Sequence, residues 1–253
     1  IEAGVRNVLN YRMKEGTTFD VAFEQLNPAV RFTSKGNILP GTDGLVLPFE
    51  AVNLKAVDVR VIRIFEKNVV QFLQVNDLGG NAELRRVGRP VVRKMISLEN
   101  SGIADLGRWN RFTLDMGSII NAEPGAIYQV QVSFKKSYTT FDCAGGDTQE
   151  ITAAFEDEVW EEGNESSYWD SYDEYYYDED YDWSERDNPC HSSYYTRSRN
   201  ITRNIIASDL GLIAKRGGDG STLVVVTDLK TTEPLAGVQL DLYDYQQQII
   251  GTA

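Results

Sequence analysis

The chain has 253 residues, and 38 acidic side chains against 25 basic ones give it a net charge of −13. That length carries enough apolar sequence for one large core or two ordinary ones, while the acidic balance excludes a nucleic-acid binder, which needs a basic face to displace counterions from phosphates. His191 is the only histidine, which excludes a His-based metal cluster, and no apolar run reaches the roughly 18 residues of a membrane helix.

In chain order, the first 35 residues hold only short apolar runs, Val21-Ala22-Phe23 and Val30-Arg31-Phe32, before Pro40-Gly41. Spacing over 21–26 fits a short helix. A strand is expected over 45–50. Val57, Val59 and Val61 then alternate with Asp58 and Arg60, and Ile62 and Ile64 continue on the opposite phase. A one-residue phase change inside a strand predicts a bulge near Val61 and Ile62. Short helices are expected over 69–73 and 116–120, and strands over 91–96 and 111–114. Trp109 reads as a core residue at a strand start. After the turn signal Glu123-Pro124-Gly125, Tyr128, Val130, Val132 and Phe134 alternate with Gln129, Gln131 and Ser133, a half-buried strand. A further strand is expected over 201–206. Gly217-Gly218-Asp219-Gly220 reads as a linker turn at a domain boundary, followed by strands over 222–227, 238–243 and 246–252. The class is all-β, an antiparallel sandwich with turns at sandwich-like spacing.

The charge is concentrated. Residues 147–187 contain 17 acidic side chains and one base, Arg186, so this tract carries −16 and the remainder +3. It also holds Trp160, Trp169, Trp183, Tyr172, Tyr175, Tyr176, Tyr177 and Tyr181. One reading is a solvated insertion whose like charges repel. A second is a partner-binding loop in which those rings supply contact area and the carboxylates select a basic protein or a glycan. A third is calcium binding, because Asp178, Asp180 and Asp182 alternate like the first ligands of an EF-hand loop. That match stops at Trp183, which stands where the loop needs glycine. No other cofactor is indicated. The basic counterpart is residues 84–94, with Arg85, Arg86, Arg89, Arg93 and Lys94. These cations read as protection of a sheet edge; alternatively, the acidic insertion folds back over them.

Cys143 and Cys190 are the two cysteines, without a C-x-x-C pattern. They read as one disulfide, the alternative being two unrelated buried thiols. A bridge pins both ends of a tract of 46 residues, worth about 4 kcal/mol in the chain-entropy account, and implies an oxidising compartment.

Leu47-Pro48-Phe49-Glu50-Ala51-Val52-Asn53-Leu54, Ala56-Val57-Asp58-Val59 and Phe72-Leu73-Gln74 resemble the N-terminal region of bacterial α2-macroglobulin family proteins, with the large Bacteroidetes-type forms nearest. The run from Asn204 to Lys215 resembles the end of one macroglobulin-like domain. Thr227-Asp228-Leu229, Pro234-Leu235-Ala236-Gly237-Val238 and Leu242-Tyr243-Asp244 resemble the start of the next. The resemblance implies fibronectin-like sandwiches of seven strands, divided here as 1–35 (the end of a preceding domain), 36–216 (a domain carrying the insertion) and 219–253 (the start of a third). It further implies a large periplasmic or outer-membrane-associated protein, lipid-anchored outside this stretch if at all. Such a parent works as an endopeptidase inhibitor: a protease cuts a bait segment and is trapped, in many members by a C-x-E-Q thioester. Cys143-Ala144-Gly145-Gly146 and Cys190-His191-Ser192-Ser193 do not carry that motif. The expectation is a non-catalytic scaffold whose partners are other domains of the same chain and, through the parent, proteases.

Overall fold

The structure is a computed structural model that describes residues 3–18, 25–39, 45–123, 125–143, 158–159 and 181–253. Its centre is a sandwich. In chain order the strands are β1 (Ala29–Phe32), β2 (Ile38–Leu39), β3 (Val46–Val52), β4 (Ala56–Ile64), β5 (Gly88–Ser97), β6 (Asn110–Asp115), β7 (Ile127–Ser133), β8 (Glu158–Val159) and β9 (Ile201–Ala207). One sheet runs β1-β3-β6 and the other β2-β9-β7-β4-β5-β8. All pairings are antiparallel except β2 with β9. With the two-residue strands β2 and β8 set aside, the sandwich has the seven strands that the resemblance implied.

Period-two alternation fills the space between the sheets. Leu47, Phe49 and Ala51 of β3 and Phe112 and Leu114 of β6 meet Val57, Val59 and Val61 of β4 and Tyr128, Val130 and Val132 of β7. Phe49 and Phe112 pack with ring centroids 5.6 Å apart. Burying side chains of this size contributes about 1.5–3 kcal/mol each, which makes this layer the main support of the fold.

The register of β4 against β5 shifts between Val61 and Ile62, where the phase change predicts a bulge. Its consequence is a second, smaller core. Beyond the bulge, Ile62 and Ile64 pack with Phe72, Leu84, Val87 and Ile127. Phe72 belongs to helix α1 (Val69–Leu73), and Leu84 and Val87 to the single turn α2 (Leu84–Val87). The basic segment 84–94 is therefore a helical turn running into β5 rather than strand throughout. Helix α3 (Met116–Ile119) starts at Asp115, whose carboxylate accepts from the Ser118 amide at 3.3 Å. The helix expected over 21–26 falls largely outside the described residues; Gln25 and Leu26 are irregular.

Two further strand pairs follow, β10 (Leu210–Arg216) with β11 (Thr222–Asp228), and β12 (Asp241–Tyr243) with β13 (Ile249–Thr252). Gly217-Gly218-Asp219-Gly220, expected as a linker turn at a domain boundary, is a turn, but one inside the β10–β11 hairpin. Gly220 takes φ +87° there and the Gly217 amide donates to the Ser221 carbonyl at 2.8 Å. A glycine-rich string reads alike in a linker and in a hairpin turn, and the partner strand decides between them. Strand pairing also differs from the expected break at 35: β1 lies before it and pairs with β3 after it, residue for residue from Ala29–Val52 to Phe32–Phe49.

Candidate functional site

The insertion leaves and re-enters the sandwich at one place, where the disulfide and a set of side-chain hydrogen bonds hold both legs. The outgoing leg follows β7 through the turn Lys136–Tyr138. The Lys55 amide donates to the Tyr138 carbonyl at 2.8 Å and the Thr140 amide to the Asn53 carbonyl at 3.0 Å. Asn53 sits between β3 and β4 at φ +52°, a left-handed conformation that asparagine tolerates better than most residues. Its side-chain amide donates to the Leu26 carbonyl. The leg ends at Cys143, which is disulfide-bonded to Cys190 with the Cα atoms 5.7 Å apart.

The returning leg consists of the short turns Trp183–Glu185, Ser192–Tyr194 and Arg197–Arg199. The Tyr194 hydroxyl, buried at the sandwich end, donates to the Pro28 carbonyl at 2.8 Å, and the Tyr195 hydroxyl to the Pro189 carbonyl at 2.7 Å. Burial pushes the Tyr195 phenol up to about 12. Arg199 ties the leg together: Nε donates to the Tyr194 carbonyl at 2.9 Å, while Nη2 donates to the Arg186 carbonyl at 2.9 Å and to Asp187 Oδ1 at 3.0 Å. Its guanidinium also lies 3.6 Å from the centre of the Tyr194 ring. His191 spends its Nδ1 as an acceptor for the Ser193 amide at 3.2 Å, a local cap rather than a base aimed at a nucleophile.

Among the residues expected to bind a partner, Tyr181 and Trp183 are described and exposed, and the Arg186 guanidinium stacks 3.6 Å from the Trp183 ring centre. Trp160, Trp169, Tyr172, Tyr175, Tyr176 and Tyr177 lie outside the described residues, as do Asp178 and Asp180. Asp182 is engaged locally. Its carboxylate accepts from the Ser184 amide at 2.8 Å and the Ser184 hydroxyl at 2.7 Å. Those hydrogen bonds hold its carboxyl below the usual carboxylate range. Among the described residues no three carboxylate, histidine or cysteine side chains converge as a metal site would require.

Two features escaped sequence reading. Trp109 is half-buried rather than central: the Arg31 guanidinium from β1 lies 4.1 Å from its ring centre, with Arg31 Nε also 2.6 Å from Glu50. Asp58 is the second. It sits on the outer face of the main sheet yet is only 6% exposed, because Tyr138 folds back and donates its hydroxyl to Oδ1 at 2.8 Å. Burial lifts the Asp58 carboxyl above its ordinary value, against the opposing pull of the Tyr138 hydrogen bond and of Lys135, Arg93 and Arg60. A lone Asp between valines looks like any solvent-facing position of a strand, so nothing in the local pattern announces this pair. An open cleft of about 610 Å³ lies beside the outgoing leg, lined by Asn53, Glu99, Asp105 and Thr140 among others. Asp105 is already bonded to Arg108 at 2.7 Å and to the Gly107 amide at 2.9 Å. None of these groups forms a nucleophile–base pair.

The comparisons with known proteins follow the sandwich. The family model of the bacterial alpha-2-macroglobulin MG2 domain matches residues 31–117, and that of the MG3 domain matches residues 207–253. The chain belongs to the bacterial alpha-2-macroglobulin family. The MG2 match covers nearly all of β1 through β6, and the insertion lies in the interval between the two matches. Of solved structures, native alpha-2-macroglobulin from Escherichia coli spanning domains MG0-NIE-MG1 has a TM-score of 0.53 at 16% identity, covering 98% of this chain and 61% of that one. The crystal structure spanning NIE-MG1 gives 0.50 at 15% identity, covering 90% of this chain and 82% of that one. The chain thus spans less than two thirds of the length of the MG0-NIE-MG1 fragment it matches. At such identities the likeness is one of fold, and the sequence models, not the structural matches, say which modules these are. No curated protein sequence matches the chain.

Proposed function

We propose that this region is a non-catalytic scaffold of a periplasmic or outer-membrane-associated alpha-2-macroglobulin-like protein, and that its parent inhibits endopeptidases by trapping them. The observation that carries the scaffold reading is the use made of the polar groups. Charged and nucleophilic side chains around the insertion are spent on turns, caps and clamps, and the core between the sheets is built from aliphatic and aromatic side chains. Sandwich modules of this kind leave their edges and end loops to neighbouring modules. Strand pairing and the MG3 match support a division in which the sandwich runs from about 25 to 208 and the next macroglobulin-like domain begins with β10. The disulfide supports an oxidising compartment. No helix among the described residues is long and apolar enough to cross a membrane.

The test is to incubate the parent protein with a broad-specificity endopeptidase. A trap blocks access of large protein substrates to the enclosed protease while small peptide substrates are still cut. Equal loss of both activities, or of neither, contradicts the inhibitor reading.

Exposure of Tyr181 and Trp183 at the foot of the insertion favours a second reading, a surface that binds a basic protein or a glycan, with calcium as its ion. Calcium would have to draw Asp182 away from Ser184. Deleting residues 149–187 and comparing captured periplasmic partners separates this reading from the first: unchanged partners remove it.

A further inference from the structure

Two neutral amides are buried in the main sheet beneath the loop that joins α1 to α2. Gln129 of β7 and Asn204 of β9 stand opposite each other in register, and both are buried. The Gln129 amide donates to Asn204 Oδ1 at 3.1 Å, and Asn204 Nδ2 donates to the Gly80 carbonyl of the loop at 2.7 Å. Asn37 adds a second tie, donating from Nδ2 to the Asn204 carbonyl at 3.0 Å and to the Leu78 carbonyl at 3.3 Å. Buried amides are costly unless their donors and acceptors are met, so this chain of amides fixes the loop against the sheet. The loop is also closed on itself. Asn76 Nδ2 donates to the Phe72 and Ala82 carbonyls, both at 3.1 Å, and Asn76 Oδ1 accepts from the Ala82 amide at 2.8 Å. A Cβ at Gly80 would collide with the Asn76 side chain, so glycine is required at that close approach.

What this fixed loop reaches is the next region of the chain. Gln74 Nε2, at its start, donates to the Tyr245 carbonyl at 2.5 Å, 171 residues further along. Tyr245 lies at the tip of the β12–β13 hairpin, inside the MG3 match. That tip is held as firmly as the loop: the Asp244 amide donates to the Gln248 carbonyl at 2.9 Å, and Asp244 Oδ1 accepts from the Gln248 amide at 2.8 Å. Exposed apolar side chains flank both ends of the contact, Leu73 and Val75 on the donor side and Tyr243 and Tyr245 on the acceptor side. The covalent route between the two regions is short, since Ser208 and Asp209 alone separate β9 from β10. A two-residue link leaves rotation about itself, and relative motion is the ordinary state of linked domains. A second attachment, distant in sequence, removes that rotation.

We propose that the loop over residues 74–82 is the seat of the following macroglobulin-like domain, receiving the tip of the β12–β13 hairpin, and that Gln74 is the residue that holds the angle between them. The seat rests on the scaffold reading and gives it a location: the next domain is oriented at two points, the 208–209 link and the Gln74–Tyr245 hydrogen bond. Its occupant is tethered by that link, so one hydrogen bond flanked by apolar side chains acts at high effective concentration.

Double electron–electron resonance on the full chain tests this, with spin labels at Thr113→Cys on β6 and Lys215→Cys on β10, both exposed positions, and the Cys143–Cys190 disulfide kept. The chain with no other change should give one narrow distance. Gln74→Met keeps the length of the side chain and removes the donor; it should lower the ratio of seated to unseated molecules by about fivefold. Gly80→Ala crowds Asn76 and alters nothing in the following domain, and it should move the ratio in the same direction by less. Gln74 lies outside both hydrophobic cores, so its variant tests the proposal even if Gly80→Ala does not fold. A narrow distance that Gln74→Met leaves unchanged would overturn the seat while the scaffold reading stands. A broad distribution in the chain with no other change would overturn both, because the following domain would then not be positioned at all.

Discussion

The sandwich and the strand pairs beyond it use the same alphabet and arrive at opposite ends. In β4, Val57, Val59 and Val61 are fully buried; in β10, Leu212 and Ile213 are 61% and 66% exposed, and Ile250 of β13 is 62% exposed. Both regions pair their strands in register over comparable lengths: β10 with β11 from Leu210–Asp228 to Arg216–Thr222, and β4 with β7 from Asp58–Ser133 to Ile64–Ile127. What separates them is a second sheet. β4 and β7 face β3 and β6 across a dry layer, whereas β10 to β13 form two-stranded pairs, and isolated two-stranded ribbons are marginal in water. Alternation writes a strand; stability comes only when another layer covers its apolar face.

That contrast can be broken from the sandwich side first. Phe49→Ala removes a buried ring packed on Phe112 and should cost about 3–5 kcal/mol in denaturant unfolding. Replacing Cys143 and Cys190 together by serine should cost about 2–4 kcal/mol, since the closed tract is long, with the loss read as a lower midpoint under oxidising conditions and none under reducing ones. Tyr138→Phe leaves the buried Asp58 carboxyl without its donor and should cost about 1–3 kcal/mol. At the other extreme, Ile213→Ala on the exposed hairpin should change stability by less than about 0.5 kcal/mol. A cost for Ile213→Ala equal to that of Phe49→Ala would erase the distinction between the regions.

Asp58 sharpens the comparison through pH. Burial raises its carboxyl above the ordinary value in the folded chain, so the folded state binds the proton more tightly than the unfolded state does. Its contribution to stability therefore declines as pH rises from the ordinary carboxylate value through the raised one, and is constant above it. Asp58→Asn keeps an acceptor for Tyr138 and removes the titration. The stability difference between the two proteins should change across that acidic window and stay flat at higher pH. A difference that is flat throughout would mean that Asp58 is solvated.

Much of this architecture was legible in the sequence for a physical reason: a pleated strand buries one side, so the residues themselves record which side. The phase change at Val61 and Ile62 gave the bulge, and the bulge explains why Ile62 and Ile64 serve a different core from Val57 and Val59. Cys143 and Cys190, read from their number and their flanking of a single tract as one disulfide with two unrelated thiols as the alternative, are bridged. What could not be read depended on distant partners. Residues 210–216 looked like the end of one domain because nothing local shows that 222–228 will pair with them, and 29–32 looked like the tail of another for the same reason. The same limit hid Asp58, whose burial is caused by a tyrosine 80 positions further along.

The most direct test of self-sufficiency in the sandwich is urea unfolding of the full chain beside one ending after Ser208, followed by the far-ultraviolet signal. A sandwich that carries its own core should unfold cooperatively at the same midpoint in both. Loss of the cooperative transition in the shorter chain would contradict the account, because it would show that the strand pairs from β10 onward are part of what holds β4 and β7 in place.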